Sequence, residues 1–483
     1  MKVERKSLRL GPESDRLVAR PFLPGTANFG GEPSRLDTIV KRVLEIPDES
    51  YEVILDELSS RHVGLAADLD AIWLRHFEAA RVVSPVLADV SDPLLQRLVG
   101  AFLTQAYAYE GAALTNPSIV PIGAPDAGRQ RFVMSMRAVG EGHISSIAFV
   151  TGSVDSLGDI DLDERHAPVS NGDRRAPVYL RSAFADKLTE LGFMSQAAEG
   201  ILRILTPSFT PEQLDASLAR IREADLNLVE VEHAIHRVHW LAASNYEVIF
   251  DDAMPVSEHL ISPAAPAESQ GIEDARFVRF TEDDGEVKYY ATYTAYDGTH
   301  ILPQLIETPD FHRFRMATMT GPSVYHKGMA LFPRRIDGDY MALSRHDHER
   351  VFLLRSDDVR TWNNAEVVFA PEHAWETVHI GNCGSPIETE AGWLVITHGV
   401  GPMRRYSLGA VLLDIDDPSR VLGRLPTPLL EPSEDEMFGY VPNVVYSCGS
   451  MVHEGRLILP YGFADRAIGF AVVSLAELID EMR

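Results

Sequence analysis

The residues best placed to do chemistry are Glu273, Asp274 and Arg276, in the run Gly271-Ile272-Glu273-Asp274-Ala275-Arg276. A glycine opens the run, two adjacent carboxylates follow, and an arginine stands two positions past the second acid. Two period-2 segments come next, Phe277–Phe280 and Tyr290–Tyr293, separated by the acidic turn Glu282-Asp283-Asp284-Gly285-Glu286. That pattern reads as a hairpin. It puts Asp274 at a strand entrance beside a fixed cation, where an acid can work on a proton. An isolated aspartate in a turn usually caps backbone N–H groups; the flanking acid, the arginine and the aromatic strand single this one out.

Three further stretches carry usable groups. His326 and Lys327 precede the strand Met329–Pro333 and could hold an anion, Lys as a point charge and His as a donor when protonated. His379 opens the glycine-rich run Ile380–Pro386, which lets backbone approach a ligand but lacks the order of a phosphate-binding loop. His398 follows the apolar strand Trp393–Thr397. Metal chemistry is not expected, because Arg345-His346-Asp347-His348 and Glu141-Gly142-His143 have no partner cluster at zinc-ligand spacing. A serine hydrolase is unsupported without a Gly-x-Ser-x-Gly elbow. Nothing marks Cys383 or Cys448, the two cysteines, as an activated thiolate.

The elements that must position these groups change character along the chain. Residues 1–35 are rich in Pro, Gly and Arg and read as an extended arm. Residues 36–110 show apolar positions at helical spacing and read as an α-helical module for packing or oligomer contact. From 111 to 483 the texture is mainly β, interrupted at about 184–242 by a helical insertion in which Thr210 caps a helix at Pro211. A strand ending in a short polar signature recurs five times there, at Arg137, Thr294, Arg345, His398 and Gly462. The last four lie about 51, 53 and 64 residues apart. Five repeats of that length imply a five-bladed β-propeller, with the insertion after the first blade. A β-sandwich would also give short strands, but it would not need the period. In a propeller, groups remote in sequence converge on a central pocket, which nominates Arg137, Asp274, Lys327, His398 and Asp465.

Composition narrows the function class. The 483 residues, with 45% hydrophobic and 24% charged, suit a globular protein with a large core. A formal charge of -27 argues against nucleic acid as a partner. No apolar run is long enough to span a membrane, the charged start Met1–Lys6 lacks a secretory pattern, and two cysteines build no disulfide framework. The expectation is a cytoplasmic protein.

The ordered motifs resemble glycoside hydrolase family 130, the β-mannoside phosphorylases and related β-mannosidases. The matching pieces are Gly271–Arg276, Lys327 with Ala330–Pro333, Gly381–Pro386, His398-Gly399-Val400, Leu408–Pro418, Pro442–Tyr446 and Tyr461–Asp465. The likeness covers about 245–483 well and the first repeat more loosely. It implies a five-bladed propeller and an inverting attack at a β-mannosidic bond of a short manno-oligosaccharide. Asp274 would be the general acid, acting through a sugar hydroxyl, with a pKa raised by burial or by Glu273. Asn116, Arg137, Glu273, Arg276 and Asp465 would bind substrate. His326, Lys327, His379 and His398 would face the nucleophile. No cofactor is implied; inorganic phosphate would be the co-substrate and mannose 1-phosphate the product. Three departures keep water open as the nucleophile. His379 stands where a phosphorylase usually has lysine, an expected arginine is missing near His326, and Ala275 replaces a commoner proline. In that alternative, an inverting β-mannosidase, Glu376 or Glu388 would supply the base. A non-catalytic propeller binding a glycan or a protein is the third reading.

Overall fold

The computed structural model describes residues 1–25, 34–66, 68–166, 168–224, 228–324 and 326–483. Tyr325, which leads into His326, and Gly30, Gly31 and Pro33 of the N-terminal arm lie outside the described residues. The chain divides into two compact units, one of residues 1–12, 112–164 and 171–483, the other of residues 13–111 and 165–170.

The larger unit is mainly β. Among the described residues it holds five antiparallel sheets of four or more strands, and each starts in chain order from a first strand, the second sheet ending in the earlier strands Tyr246–Ile249 and Asp173–Arg175 and the fifth in Val3–Leu10. Those first strands are Ala113–Pro121, Ile272–Thr281, Ala330–Leu331, His379–Asn382 and Val445–Tyr446. Each of the five sequence repeats falls at or just beyond the second strand of one sheet: Gln130–Val139, Val287–Tyr296, Tyr340–Ser344, Gly392–Val400 and Arg456–Phe463. The repeat was visible because these second strands are buried on both faces and so read as continuous apolar runs.

Two boundaries differ from the sequence reading. Val3–Leu10, read as part of an arm, is a strand that pairs antiparallel with Ala467–Ser474 at the edge of the fifth sheet. Its alternation of charged and partly buried residues suits an edge, where one face is solvated. The helical unit is also wider than 36–110, because Leu17–Pro21 pairs with Thr104–Ala108 and closes it. Residues 165–170 return to this unit through Arg165, which forms an ion pair with the buried Glu110, itself 3.3 Å from Arg16. Its four α-helices, Arg35–Leu44, Tyr51–Arg61, Leu69–Val83 and Pro93–Phe102, bury Val40, Leu55, Trp73, Phe77 and Leu98 against one another. Ser34, Asp68 and Asp92 accept hydrogen bonds from the first free N–H groups of three of them.

The insertion forms helices between Arg181 and Ala243. Thr210 caps as expected: it exchanges two hydrogen bonds with Gln213, at 3.0 and 3.4 Å. Leu188, Ile201, Leu214, Ile235 and Leu241 join the core of the second sheet around Val248, Phe314 and Met316. Among the described residues no helix is long and apolar enough to cross a membrane.

Buried histidines make stability depend on pH. Burial holds His76 in the helical unit down at about 4, and does the same to His259, which stacks on Phe250 with ring centroids 4.0 Å apart. Between about 4 and 6.5 the unfolded chain therefore binds more protons than the folded one, so stability rises with pH across that window. Each group should cost up to about 3 kcal/mol by pH 4. His259→Phe should flatten the fall in melting temperature between pH 7 and 4.5; an unchanged slope would remove His259 from the explanation.

Candidate active site

A cavity of about 300 Å³ in the larger unit collects groups from all five sheets. Asn116 lies on the first strand of the first sheet and Glu273 and Asp274 on that of the second. Lys327 precedes the third sheet, and Val444 and Tyr446 belong to the start of the fifth. The second strands deliver Arg137, Arg345, His398 and Asp465 at or just beyond their ends. Arg404, Tyr406 and Val441 complete the wall.

Local backbone irregularity aims three of these side chains. Asn116, Asp274 and Asp465 adopt left-handed φ values of 49°, 57° and 48°. That conformation is uncommon outside glycine, though Asn and Asp tolerate it best. In the first two sheets it coincides with a slip in register, between Thr115 and Ser118 and between Glu273 and Arg276. A bulge of this kind breaks the alternation of a strand and turns neighbouring side chains to one side. Gly271 is needed just upstream: its φ is 116°, and a Cβ there would lie 2.5 Å from Ser145 Oγ.

Asp274 is held from every direction. Asn116 Nδ2 donates to Asp274 Oδ1. Arg276 NH1 donates to the Asp274 carbonyl at 3.0 Å, and NH2 reaches Oδ2 at 3.5 Å. The same guanidinium donates to Cys383 O and Tyr446 Oη, each at 2.8 Å. Arg276 is buried and does not line the cavity; it braces the acid from behind. Glu273 is neutralised by Arg137 at 2.8 Å and Lys327 at 2.5 Å.

These contacts overturn the expected raised pKa of Asp274. Burial alone would raise it, but Arg276, Arg137, Lys327 and the Asn116 hydrogen bond outweigh burial and hold it below the usual carboxylate range. The neighbouring Glu273 does not push it up, because two cations absorb its charge. Asp465 goes the other way: burial raises it, with Arg137 opposing and Asp274 assisting.

Across the cavity Arg345 NH1 donates to His398 Nε2 at 3.2 Å. Accepting that bond fixes His398 as a neutral ring, and burial followed by Arg345 depresses its pKa well below the usual value. Gly381 makes the seat for this ring, since a Cβ there would lie 2.5 Å from His398 Cε1. Burial pushes the neighbouring Cys383 thiol up to about 12, which agrees with an inert cysteine.

Of the residues proposed from sequence, Asn116, Arg137, Glu273, Asp274, Lys327, His398 and Asp465 line the cavity, while Arg276, expected to bind substrate, and His326 and His379 do not. His326 lies against His348, ring centroids 3.6 Å apart, and His379 stands behind His398 and Tyr406, at 5.8 Å from each. Burial holds both at about 4, so neither carries the charge expected of a protonated donor. The positive charge comes instead from Arg345 and Arg404, which sequence reasoning missed along with Tyr406 and Tyr446. Arg345 could have been found, for it closes its repeat as Arg137 and His398 close theirs. Arg404 follows a turn with no such signal. Glu376 and Glu388 are also elsewhere. Glu376 is buried on Arg424 and the His373 N–H, and Glu388 pairs with Arg334 at a partly exposed position. Among the described residues no cluster of three or more His, Cys, Asp or Glu could hold a metal ion.

Comparison with known proteins is consistent with this geometry. The family model for glycoside hydrolase family 130, described as beta-1,4-mannooligosaccharide phosphorylase, matches residues 228–483. A 1,2-beta-oligomannan phosphorylase from a Thermoanaerobacter species is 34% identical over 233 residues, 47% of this chain and 75% of the relative. A beta-1,2-mannobiose phosphorylase from Listeria innocua is 30% identical over 44% of this chain and 60% of its own length. The solved structure of a Listeria innocua beta-1,2-mannobiose phosphorylase with beta-1,2-mannobiose covers 77% of this chain and 92% of its own, at 20% identity and a TM-score of 0.44.

Arg276→Lys keeps the charge and loses the planar fork, so Asp274, Cys383 O and Tyr446 cannot all stay bonded. The variant should lose about 3 kcal/mol in urea unfolding; a loss below about 0.5 kcal/mol, the size of an ordinary surface change, would deny Arg276 its role.

Proposed function

The chain belongs to glycoside hydrolase family 130, and from that membership we propose that it is an inverting β-mannoside phosphorylase. It cleaves short manno-oligosaccharides with inorganic phosphate and releases α-mannose 1-phosphate. Its five sheets are then the blades of a propeller, a reading supported by the way every sheet sends a side chain or backbone group to one cavity.

One observation carries the choice of phosphate over water. Arg345 and Arg404 line the cavity, and among the described residues no carboxylate pairs with either. Arg345 is partly buried and Arg404 exposed, and two cations outside any ion pair, in a protein of formal charge -27, make a site for an anion. A hydrolase would need a carboxylate base there; Glu376 and Glu388, the residues nominated for it, lie off the cavity, and Asp465, which lines it, is assigned to the sugar. Phosphate needs no base, only cations and donors to hold it.

The proton balance fits an acid that is ionised in the empty site. Hydrogen phosphate attacks the anomeric carbon, the C–O bond to the leaving sugar breaks, and the leaving oxygen must gain one proton. Phosphate brings that proton with it, so the overall reaction needs none from solvent. Asp274 relays it through a sugar hydroxyl, as the family resemblance implies. Bound phosphate also adds negative charge to the cavity, which opposes the cations that hold Asp274 down and raises its pKa when protonation is needed.

The remaining assignments follow. Asn116, Arg137, Glu273 and Asp465 hold the mannosyl unit, Arg276 positions Asp274, and His398 with Tyr406 completes the phosphate wall. His379 supports His398 from behind, and His326 flanks the same side. The helical unit exposes Val53, Val63 and Val82, which suits a contact between copies of the chain. Two buried free cysteines and the need for a phosphate pool favour a cytoplasmic setting.

Two variants test the roles by measuring mannose 1-phosphate from mannobiose. Arg345→Gln should raise KM for phosphate about tenfold or more, the worth of one charged hydrogen bond. Asp274→Asn should lower kcat by roughly 10²–10⁴. An unchanged phosphate KM in the first, or near-normal turnover in the second, would sink the assignment.

A further inference from the structure

The cavity is small for an oligosaccharide. About 300 Å³ is the lower end of small-molecule pockets, room for a mannosyl unit and a phosphate but not for a chain. Any further sugars must leave through the mouth and meet whatever surrounds it. What surrounds it is apolar and exposed. Phe438 and Tyr440 are 74% and 70% exposed, and Met403 is 88% exposed. Each stands within three positions of a cavity-lining residue, Val441 or Arg404.

Such exposure is costly unless something covers it, and these residues are not on a loose loop. Gly439 lies so close to Ala464 that a Cβ would come within 2.6 Å of the alanine Cβ. Val441 N–H donates to Ala464 O at 3.1 Å, Asn443 N–H to Met437 O at 3.0 Å, and Tyr406 N–H to Asn443 O at 2.9 Å. The strap is thus pinned beside Asp465 and Tyr406. Tyr440 also stacks on His143, with ring centroids 5.1 Å apart and planes 23° from parallel. His143 sits on the turn between the second and third strands of the first sheet, six residues beyond Arg137. The stack therefore joins the fifth sheet to the first at the edge of the cavity.

We propose that Phe438 and Tyr440, the latter backed by His143, form an outer sugar-binding platform that selects manno-oligosaccharides longer than the disaccharide. A sugar ring presents an apolar face of C–H groups, and a fixed, solvent-exposed aromatic ring is its natural complement. The platform holds the second and later units on the reducing side of the cleaved bond, beyond the two sugars that the bond joins. This inference rests on the phosphorylase reading for its turnover assay, but not for its binding assay.

The test compares wild type with Phe438→Ala, Tyr440→Ala and the double variant, in β-1,2 and β-1,4 series of mannobiose and mannotetraose. The double variant should lose about tenfold in kcat/KM on mannotetraose, through KM, and less than about twofold on mannobiose. Calorimetric affinity for mannotetraose should fall in parallel without phosphate. Equal losses on both lengths, no loss on mannotetraose, or a change in oligomeric state with sugar affinity intact would each overturn the platform. If no mannose 1-phosphate forms from any substrate, the phosphorylase reading fails, and the calorimetry alone decides the platform.

Discussion

The site depends on one buried guanidinium. Arg276 comes from the second sheet and bonds to the Asp274 backbone and carboxylate, to Cys383 O after the first strand of the fourth sheet, and to Tyr446 in the fifth. A cation buried to this degree is costly unless every donor is used, and here four acceptors are gathered for it. The same contacts that satisfy the arginine fix the left-handed aspartate, join three sheets and place Tyr446 against His398, with ring centroids 4.8 Å apart. Arg345 then bonds to the far side of His398. An unbroken series of contacts therefore runs from the proposed acid to the proposed phosphate wall.

The electrostatics of the cavity follow from which charges are matched. Arg137 and Lys327 are used up by Glu273, and Arg276 by Asp274 and its neutral acceptors. Among the described residues neither Arg345 nor Arg404 is closed into an ion pair with a carboxylate, though Arg404 acts on Asp465 at longer range. The histidines, which would be the obvious phosphate ligands by residue type, are uncharged because burial and Arg345 work against their protonation. The cavity is thus divided into a neutralised sugar side and an unmatched cationic side, and that division is what an anionic nucleophile requires.

Much of this was legible in the chain. The five repeats were readable because the doubly buried second strands leave apolar runs, three of which end at a residue that lines the cavity, Arg137, Arg345 or His398. Asp274 stood out because an acid pair and an arginine crowd a strand entrance. Its pKa was misread, because Arg276 is joined in lowering it by Arg137, Lys327 and Asn116, which lie elsewhere in the chain and leave no local mark beside Asp274. His379 and His326 were nominated by residue type and position, yet depth and not identity decided that they stand behind the wall. Arg345 belonged to the repeat all along, but Arg404 follows an irregular turn where strand periodicity gives no guidance. The edge strand Val3–Leu10 escaped notice because its partner, Ala467–Ser474, is at the other end of the chain.

The central claim is that phosphate, not water, faces Asp274. The most direct measurement follows mannobiose turnover by NMR with and without inorganic phosphate. The account predicts one α-mannose 1-phosphate for each acceptor sugar released, and no turnover when phosphate is withheld. Free mannose formed at the same rate in both conditions would contradict it.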